Sequence, residues 1–388
     1  MLSCGEIFSL QLFNKKEMKR ISVLFFMMVL SVSTSVWAQV PFSKQATYNK
    51  MRQVADWQIA DFNTNQRHDD VNWANAALYI GMADWAQLSD KVDQYEVYYQ
   101  WLDSIGRRND YQLGRKIYHA DYMAVGHTYM ALYEKYQVPE MLWHIQARLD
   151  WIITHPSHYS MQLDESHPHT CDRWSWCDAL FMAPQVFAHM YTLTGDKKYI
   201  DFMNQEWLTT YKLLYDKNEH LFYRDTRYLG KRETNGKKIF WGRGAGWVAA
   251  GTANLLRILP VKDKNRKFYE EFFIENCTRL AALQCADGYW HASLLDPESY
   301  PSPETSATGL ITYALAYGIN AGLLDKTKFL PVVIKGWQGM LKAVDPSGKL
   351  GYVQPIGADP RKVTRDMTEV YGVGAFLLAG CQIYQMGK

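Results

Sequence analysis

Long alternating runs of β-branched residues are scarce in this 388-residue sequence, which argues against a sheet protein. Charge of one sign is missing too. The 42 Lys and Arg stand against 40 Asp and Glu, a formal net charge of +2, with no basic stripe and no acidic tail. That balance gives no reason to expect a nucleic-acid partner or a membrane-surface partner. Cysteine is sparse at six residues. Cys171, Cys177, Cys277, Cys285 and Cys381 follow the N-terminal segment without regular spacing, so no disulfide scaffold is expected. Cys277 and Cys285 read as sharing one helix, roughly 12 Å apart along its axis, too far to bond. Cys171 and Cys177 could bridge, although buried thiols are the plainer reading. Several motifs are absent as well. No strand leads into a Gly-x-Gly-x-x-Gly turn, which excludes a dinucleotide loop. No Gly-x-Ser-x-Gly elbow supports a serine hydrolase. His167-Pro168-His169 with Cys171 has no matching second half, and His119 and His127 do not form a His-x-x-x-His pair. Neither a metal nor another cofactor is expected.

The N-terminus has the make-up of a targeting segment. Lys15, Lys16, Lys19 and Arg20 form a positive region, Ile21 to Val32 an apolar one, and Val36-Trp37-Ala38 a small-x-small-like cleavage site. Residues 1–38 therefore read as a signal peptide, with Met18 an alternative start. The apolar run is short for a membrane span, and no Cys follows it to carry a lipid anchor. An exported chain is expected, periplasmic or secreted, with no membrane anchor after cleavage. No Pro/Ser-rich linker divides residues 39–388, which read as a single domain.

Almost every periodic stretch of that domain is helical. Two kinds of helix alternate. One begins at a polar or Gly-rich loop and carries small residues and aromatics, with starts near Trp73, Asp121, Asp178, Gly244, Thr305 and Glu369. The other is more charged on its outside, as from Lys262 to Phe273. Successive starts lie roughly 50–65 residues apart, longer than a common helical solenoid repeat. The sixth pair lacks its outer helix, and the unpaired opening helix from Gln45 to Phe62 can supply it. The expected fold is all-α, an (α/α)6 barrel of six hairpins. Its inner-helix N-termini would bring Trp73, Asp121, Asp178, Arg243 and the Glu304 region around one cleft.

With 14 Trp and 26 Tyr, the chain has the flat apolar surfaces that sugars favour, though such residues also serve helix packing. Asp178 stands at a helix start directly after Trp174-Ser175-Trp176-Cys177. A lone Asp there is most often a cap. The aromatics raise the alternative of a carboxyl in an apolar cleft, with its pKa shifted toward catalytic use. Asp121 opens the preceding inner helix, and two adjacent carboxyls do not easily both ionise, so one could remain an acid. In Trp241-Gly242-Arg243-Gly244-Ala245-Gly246-Trp247, the glycines permit close backbone approach. Arg243 offers a fork suited to a carboxylate and Trp247 a flat face. Tight helix packing explains the same glycines equally well. Glu304-Thr305-Ser306 reads as capping chemistry, and Trp290-His291 as a pair able to hang over the cleft.

Trp176-Cys177-Asp178-Ala179-Leu180-Phe181-Met182-Ala183, Trp241 to Trp247 and Glu304-Thr305-Ser306-Ala307-Thr308-Gly309 together resemble the unsaturated rhamnogalacturonyl hydrolases of glycoside hydrolase family 105, relatives of the family 88 unsaturated glucuronyl hydrolases. The similarity runs in order over essentially all of residues 39–388. It implies an (α/α)6 barrel. It also implies removal of a 4,5-unsaturated uronic acid from the non-reducing end of lyase-made oligosaccharides. By that resemblance Asp178 is the general acid/base, protonating C4 and then helping water add at C5. By the same resemblance Asp121 holds the ring and tunes its partner, and Arg243 and Trp247 contact the uronyl group; Trp241 and Trp73, at the same end of the barrel, are further candidates for substrate contact. Where the family often has a His, this chain reads Leu221-Phe222-Tyr223-Arg224-Asp225, so Arg224 would add a cation for the substrate carboxylate. His167 or His169 is then the candidate to supply an imidazole, and His291 a further contact. Other readings remain open. They are a saturated β-glucuronidase, a polysaccharide lyase using His291 with Tyr289, and a glycan-binding protein, the last disfavoured by retention of both acids. The parent polysaccharide is open too, among rhamnogalacturonan (pectin), ulvan, arabinogalactan and glycosaminoglycan.

Overall fold

The computed structural model describes residues 41–387 apart from Glu165. The signal-peptide reading of residues 1–38 lies outside the described residues. Helices dominate: α1 (Lys44–Asn65), α2 (Trp73–Asp93), α3 (Val97–Arg108), α4 (Val125–Tyr136), α5 (Glu140–Thr154), α6 (Ala179–Met182), α7 (Pro184–Thr194) and α8 (Lys197–Leu214) come first. A small hairpin, β1 (Tyr215–Asp216) and β2 (Leu221–Phe222), separates them from α9 (Gly242–Ile258), α10 (Arg266–Ala282), α11 (Thr305–Asn320), α12 (Lys326–Ala343) and α13 (Val370–Met386).

Burial separates the helices into two layers. Helices α9, α11 and α13 are buried nearly all round, as helices enclosed by others must be. Helix α3 buries only the stripe of Tyr98, Tyr99, Leu102, Ile105 and Gly106. The inner helices pack in the order α2, α4, α6–α7, α9, α11, α13, and α13 returns against α2, closing a ring. Each inner helix is backed by the helix that follows it in the chain, except α13, which is backed by α1. The opening helix thus completes the sixth pair, as the (α/α)6 reading requires. At the closing seam Gly81 and Gly374 face each other, and a Cβ on either would run into the opposite backbone. Absence of side chains there lets the first and last inner helices touch.

Local chemistry starts several of the helices. Ser43 accepts from the Ala46 amide at 3.0 Å, Asn72 from Ala74 at 2.9 Å, Asp196 from Lys198 at 3.0 Å and Asp325 from Lys328 at 2.9 Å. Two expectations need correction. The third inner helix is broken into α6 and α7 at Pro184, which has no amide to donate and whose ring crowds the preceding turn. Cys277 and Cys285 do not share a helix, because α10 ends at Ala282. All five cysteines of the described region are free, Cys171 and Cys177 included.

Candidate active site

Asp178 stands at the N-cap position of α6, yet its carboxylate caps nothing. It is turned instead toward two neighbours. The Cys177 thiol donates to Oδ2 at 3.4 Å, and the Arg224 Nε lies 3.5 Å from the same oxygen. Burial first, then the adjacent Asp178 charge, holds the Cys177 thiol well above its ordinary range, so it stays a donor.

The hairpin after α8 delivers Arg224. The Cys177 amide donates to the Arg224 carbonyl at 2.8 Å, and Trp176 bridges to Asp225, so two short strips run side by side. Asp225 is wholly buried and receives Arg224 Nη1 at 2.7 Å and Arg227 Nε at 2.9 Å. Burial alone would raise the Asp225 pKa, but Arg227 and Arg224 together depress it. Asp225 is therefore a fixed anion that aims Arg224 at Asp178. Burial works against the Arg224 charge, but Asp178 and Asp225 more than offset it and the guanidinium is held charged. Arg224 does face the site, directly beside the Asp178 carboxylate.

Asp121 lies in a 3-10 turn, Ala120–Tyr122, one turn before α4 rather than on that helix. Its carboxyl is pushed up from 3.8 to about 7, first by burial and then by the Asp178 charge, while Arg224 and Lys116 partly oppose the shift. The two acids thus meet electrostatically, and the Asp178 charge helps Asp121 keep its proton up to about pH 7. Next to it, the His119 Nδ1 accepts from the Asp121 amide at 3.3 Å, and the His119 ring packs 4.8 Å from Trp176. Burial, then Lys116 and Arg224, lower His119 to about 4, so the imidazole is neutral. His119, rather than His167 or His169, is the neutral imidazole beside Asp121. Those two are largely exposed and pair with Asp164 at 2.9 Å and Asp172 at 3.1 Å. The sequence hides His119, because nothing in the spacing His119-Ala120-Asp121 distinguishes it from a loop histidine.

Arg243 also departs from expectation. It is fully buried, stacked between Trp241 and Tyr371 at 4.5 and 4.8 Å. Its fork donates to the carbonyls of Gln354 and, at 3.0 Å, Pro355. With those donors committed to backbone, Arg243 clamps the 351–355 strip instead of presenting itself to a substrate carboxylate. Trp241 and Glu304 hold the same strip. Trp241 Nε1 donates to the Gln354 side chain at 3.2 Å, and the Gln354 amide donates to Glu304 at 3.1 Å. Glu304 also caps α11 through the Ser306 and Ala307 amides, so the capping reading holds. The glycines around Arg243 serve packing, since a Cβ at Gly242 would strike the His291 carbonyl and one at Gly246 would press on Leu310.

Trp73 is only partly buried and stacks on Tyr371 with centroids 5.4 Å apart. Trp247 meets Trp73 edge-on at 6.5 Å and Phe181 at 4.6 Å, but is itself 1% exposed. Trp73 can offer a face to a sugar, whereas Trp247 supports it from behind. Trp290 is buried, its Nε1 on the Leu280 carbonyl at 2.7 Å, and His291 is turned to Asp287 at 2.9 Å. Both are committed to partners of their own, away from the role over the cleft that the sequence suggested.

Comparison with known proteins identifies the family. The family model described as Glycosyl Hydrolase Family 88 matches residues 43–387. An unsaturated 3S-rhamnoglycuronyl hydrolase of Formosa agariphila is 35% identical over 96% of this chain and 99% of its own length. One of the same name from Alteromonas sp. is 35% identical over 86% of this chain and 84% of its own. Among solved structures, a polysaccharide lyase aligns with a TM-score of 0.79 and 28% identity over 88% of this chain and 97% of its own. With a family model covering nearly all of the described chain, and relatives this similar along most of their lengths, the protein belongs to glycosyl hydrolase family 88.

Proposed function

We propose that the protein is a glycosidase that removes a 4,5-unsaturated uronic acid from the non-reducing end of lyase-generated oligosaccharides, by hydrating the C4=C5 double bond. The observation that carries this is the uncapped Asp178 carboxylate, paired with an Asp121 that keeps a proton to about pH 7. In its acid form Asp178 can protonate the vinyl ether at C4, and its carboxylate form can then take a proton from water as that water adds at C5, with Asp121 tuning it from beside. The hemiketal so formed opens and releases the neighbouring sugar. No covalent glycosyl intermediate and no second carboxyl across the anomeric carbon are needed, unlike ordinary glycosidases. Arg224 lies 3.5 Å from Asp178, so it can receive the uronyl carboxylate beside the reacting carbons and hold it against Asp178. His119 offers a neutral donor, through its Nε2, next to Asp121.

The leaving sugar is proposed to be a rhamnose, on the strength of relatives whose names specify an unsaturated 3S-rhamnoglycuronyl substrate. Release into the periplasm or the medium is proposed from the basic-then-apolar N-terminal segment. The test is the ultraviolet absorbance of the conjugated uronyl group, followed on lyase-treated polymers from several sources. Loss of absorbance on products ending in uronyl-rhamnose is expected. A gain of absorbance on intact polymer would instead identify a lyase, the activity named for one structural neighbour.

A further inference from the structure

Away from the paired acids, the turn after α10 gathers three side chains of different chemistry. Ligand atoms of Cys285, Asp287 and His291 all lie within 4.8 Å of one another, with Asp287 Oδ2 and His291 Nε2 at 2.9 Å. The turn that carries them is rigid. The Cys285 amide donates to the Tyr289 carbonyl at 2.9 Å, the Tyr289 hydroxyl is tied to the Gly339 carbonyl at 2.6 Å, and Trp290 is locked into the core. Gly288 has a φ of +93°, and a Cβ there would meet the Lys335 carbonyl carbon and oxygen, so the turn can be tight only with glycine.

The His291 ring supplies the decisive detail. Its Nδ1 points at the Pro297 carbonyl at 3.4 Å, an acceptor only, so the Nδ1 proton is directed there. Nε2 then faces the Asp287 carboxylate, with the Cys285 sulfur in the same cluster. One metal ion would join all three groups at once; without it, a His291 proton shared with Asp287 and the Cys285 thiol hydrogen serve the same contacts. A backbone carbonyl orienting one ring nitrogen while the other ligates is the usual outer support of a metal-bound histidine.

We propose that Cys285, Asp287 and His291 form a zinc site. One thiolate, one imidazole and one carboxylate suit Zn²⁺, with bonds of about 2.0–2.3 Å and a fourth tetrahedral position for water. The present separations need only a small closing movement of side chains. Asp287 is exposed and His291 buried, so the fourth position opens toward solvent while the histidine side is dry. Bound zinc would brace the segment from 285 to 297. The neighbouring Ala292 carbonyl receives the Gly242 amide at 2.8 Å, at the start of the helix that holds Arg243. The ion would therefore be structural, apart from the proton transfer and independent of the hydrolase reading.

The experiment is elemental analysis of the full-length chain after expression with zinc and gel filtration, followed by cobalt substitution. About one zinc per chain is expected, with a sulfur-to-cobalt charge-transfer band in the near ultraviolet. Cys285→Ser should abolish that band, and the solvent-exposed Asp287→Asn should weaken zinc by roughly tenfold or more, since even outer-shell losses cost that much. Folded wild-type protein with well under one zinc and no cobalt band would overturn the proposal and leave the imidazolium. Full zinc retention by both variants would overturn it equally.

Discussion

Replacing Asp121 by asparagine tests the electrostatic core of the site. The carboxyl ionises at about 7 in the folded protein and at its ordinary 3.8 when exposed. Its folded-state value is raised, so the stability linked to its protonated form is fully present below about 4 and is lost as the pH rises through 7. The interval corresponds to a ceiling of roughly 4 kcal/mol at about 1.36 kcal/mol per pH unit. The asparagine side chain carries no charge at any pH and escapes that loss. The wild type should therefore fall in stability relative to Asp121→Asn between pH 4 and pH 7, with the difference levelling off above that window. Urea denaturation of both proteins at several pH values measures it. Parallel pH curves would refute the claim that Asp121 is held protonated by burial and by Asp178. The same substitution should slow turnover strongly, since the pair would lose the group that keeps a proton.

Asp178→Asn is expected to leave the fold intact and reduce consumption of the uronyl double bond by roughly 10²–10⁴-fold, the usual worth of a positioned acid/base, read from the ultraviolet assay and circular dichroism. Arg224→His should change which unsaturated disaccharide is preferred, by removing a charged fork and restoring a neutral ring; an unchanged preference across a disaccharide panel would place Arg224 outside recognition. Arg243→Ala should show itself first in stability, costing roughly 2–5 kcal/mol in chemical denaturation, because it strips a fully buried guanidinium from the 351–355 strip. Gly374→Ala should destabilise by roughly 1–3 kcal/mol through overpacking at the ring seam, measured the same way.

The ring is legible in the pattern of helices alone. Six inner stretches rich in small and aromatic residues, alternating with one-sided outer helices, leave a single unpaired helix at each end of the count. Burying both leaves little choice but closure. Several helix starts are set by local chemistry as well, since Asn72, Asp196 and Asp325 cap without a distant partner. Both acids and Arg224 were readable as candidates, since each sits at a loop-to-inner-helix junction or in a motif. The direction of each side chain came only from packing. A buried Arg243 and an exposed His167 look alike in sequence, but one is enclosed by Trp241 and Tyr371 and the other projects from a loop. His119 gained its place from the packing of Trp176, which lies far along the chain. The Asp121 pKa depends on burial and on Asp178, a through-space pairing that no spacing encodes. Periodicity and capping are short-range and survive in the sequence, whereas fields and orientations arise only when distant segments meet.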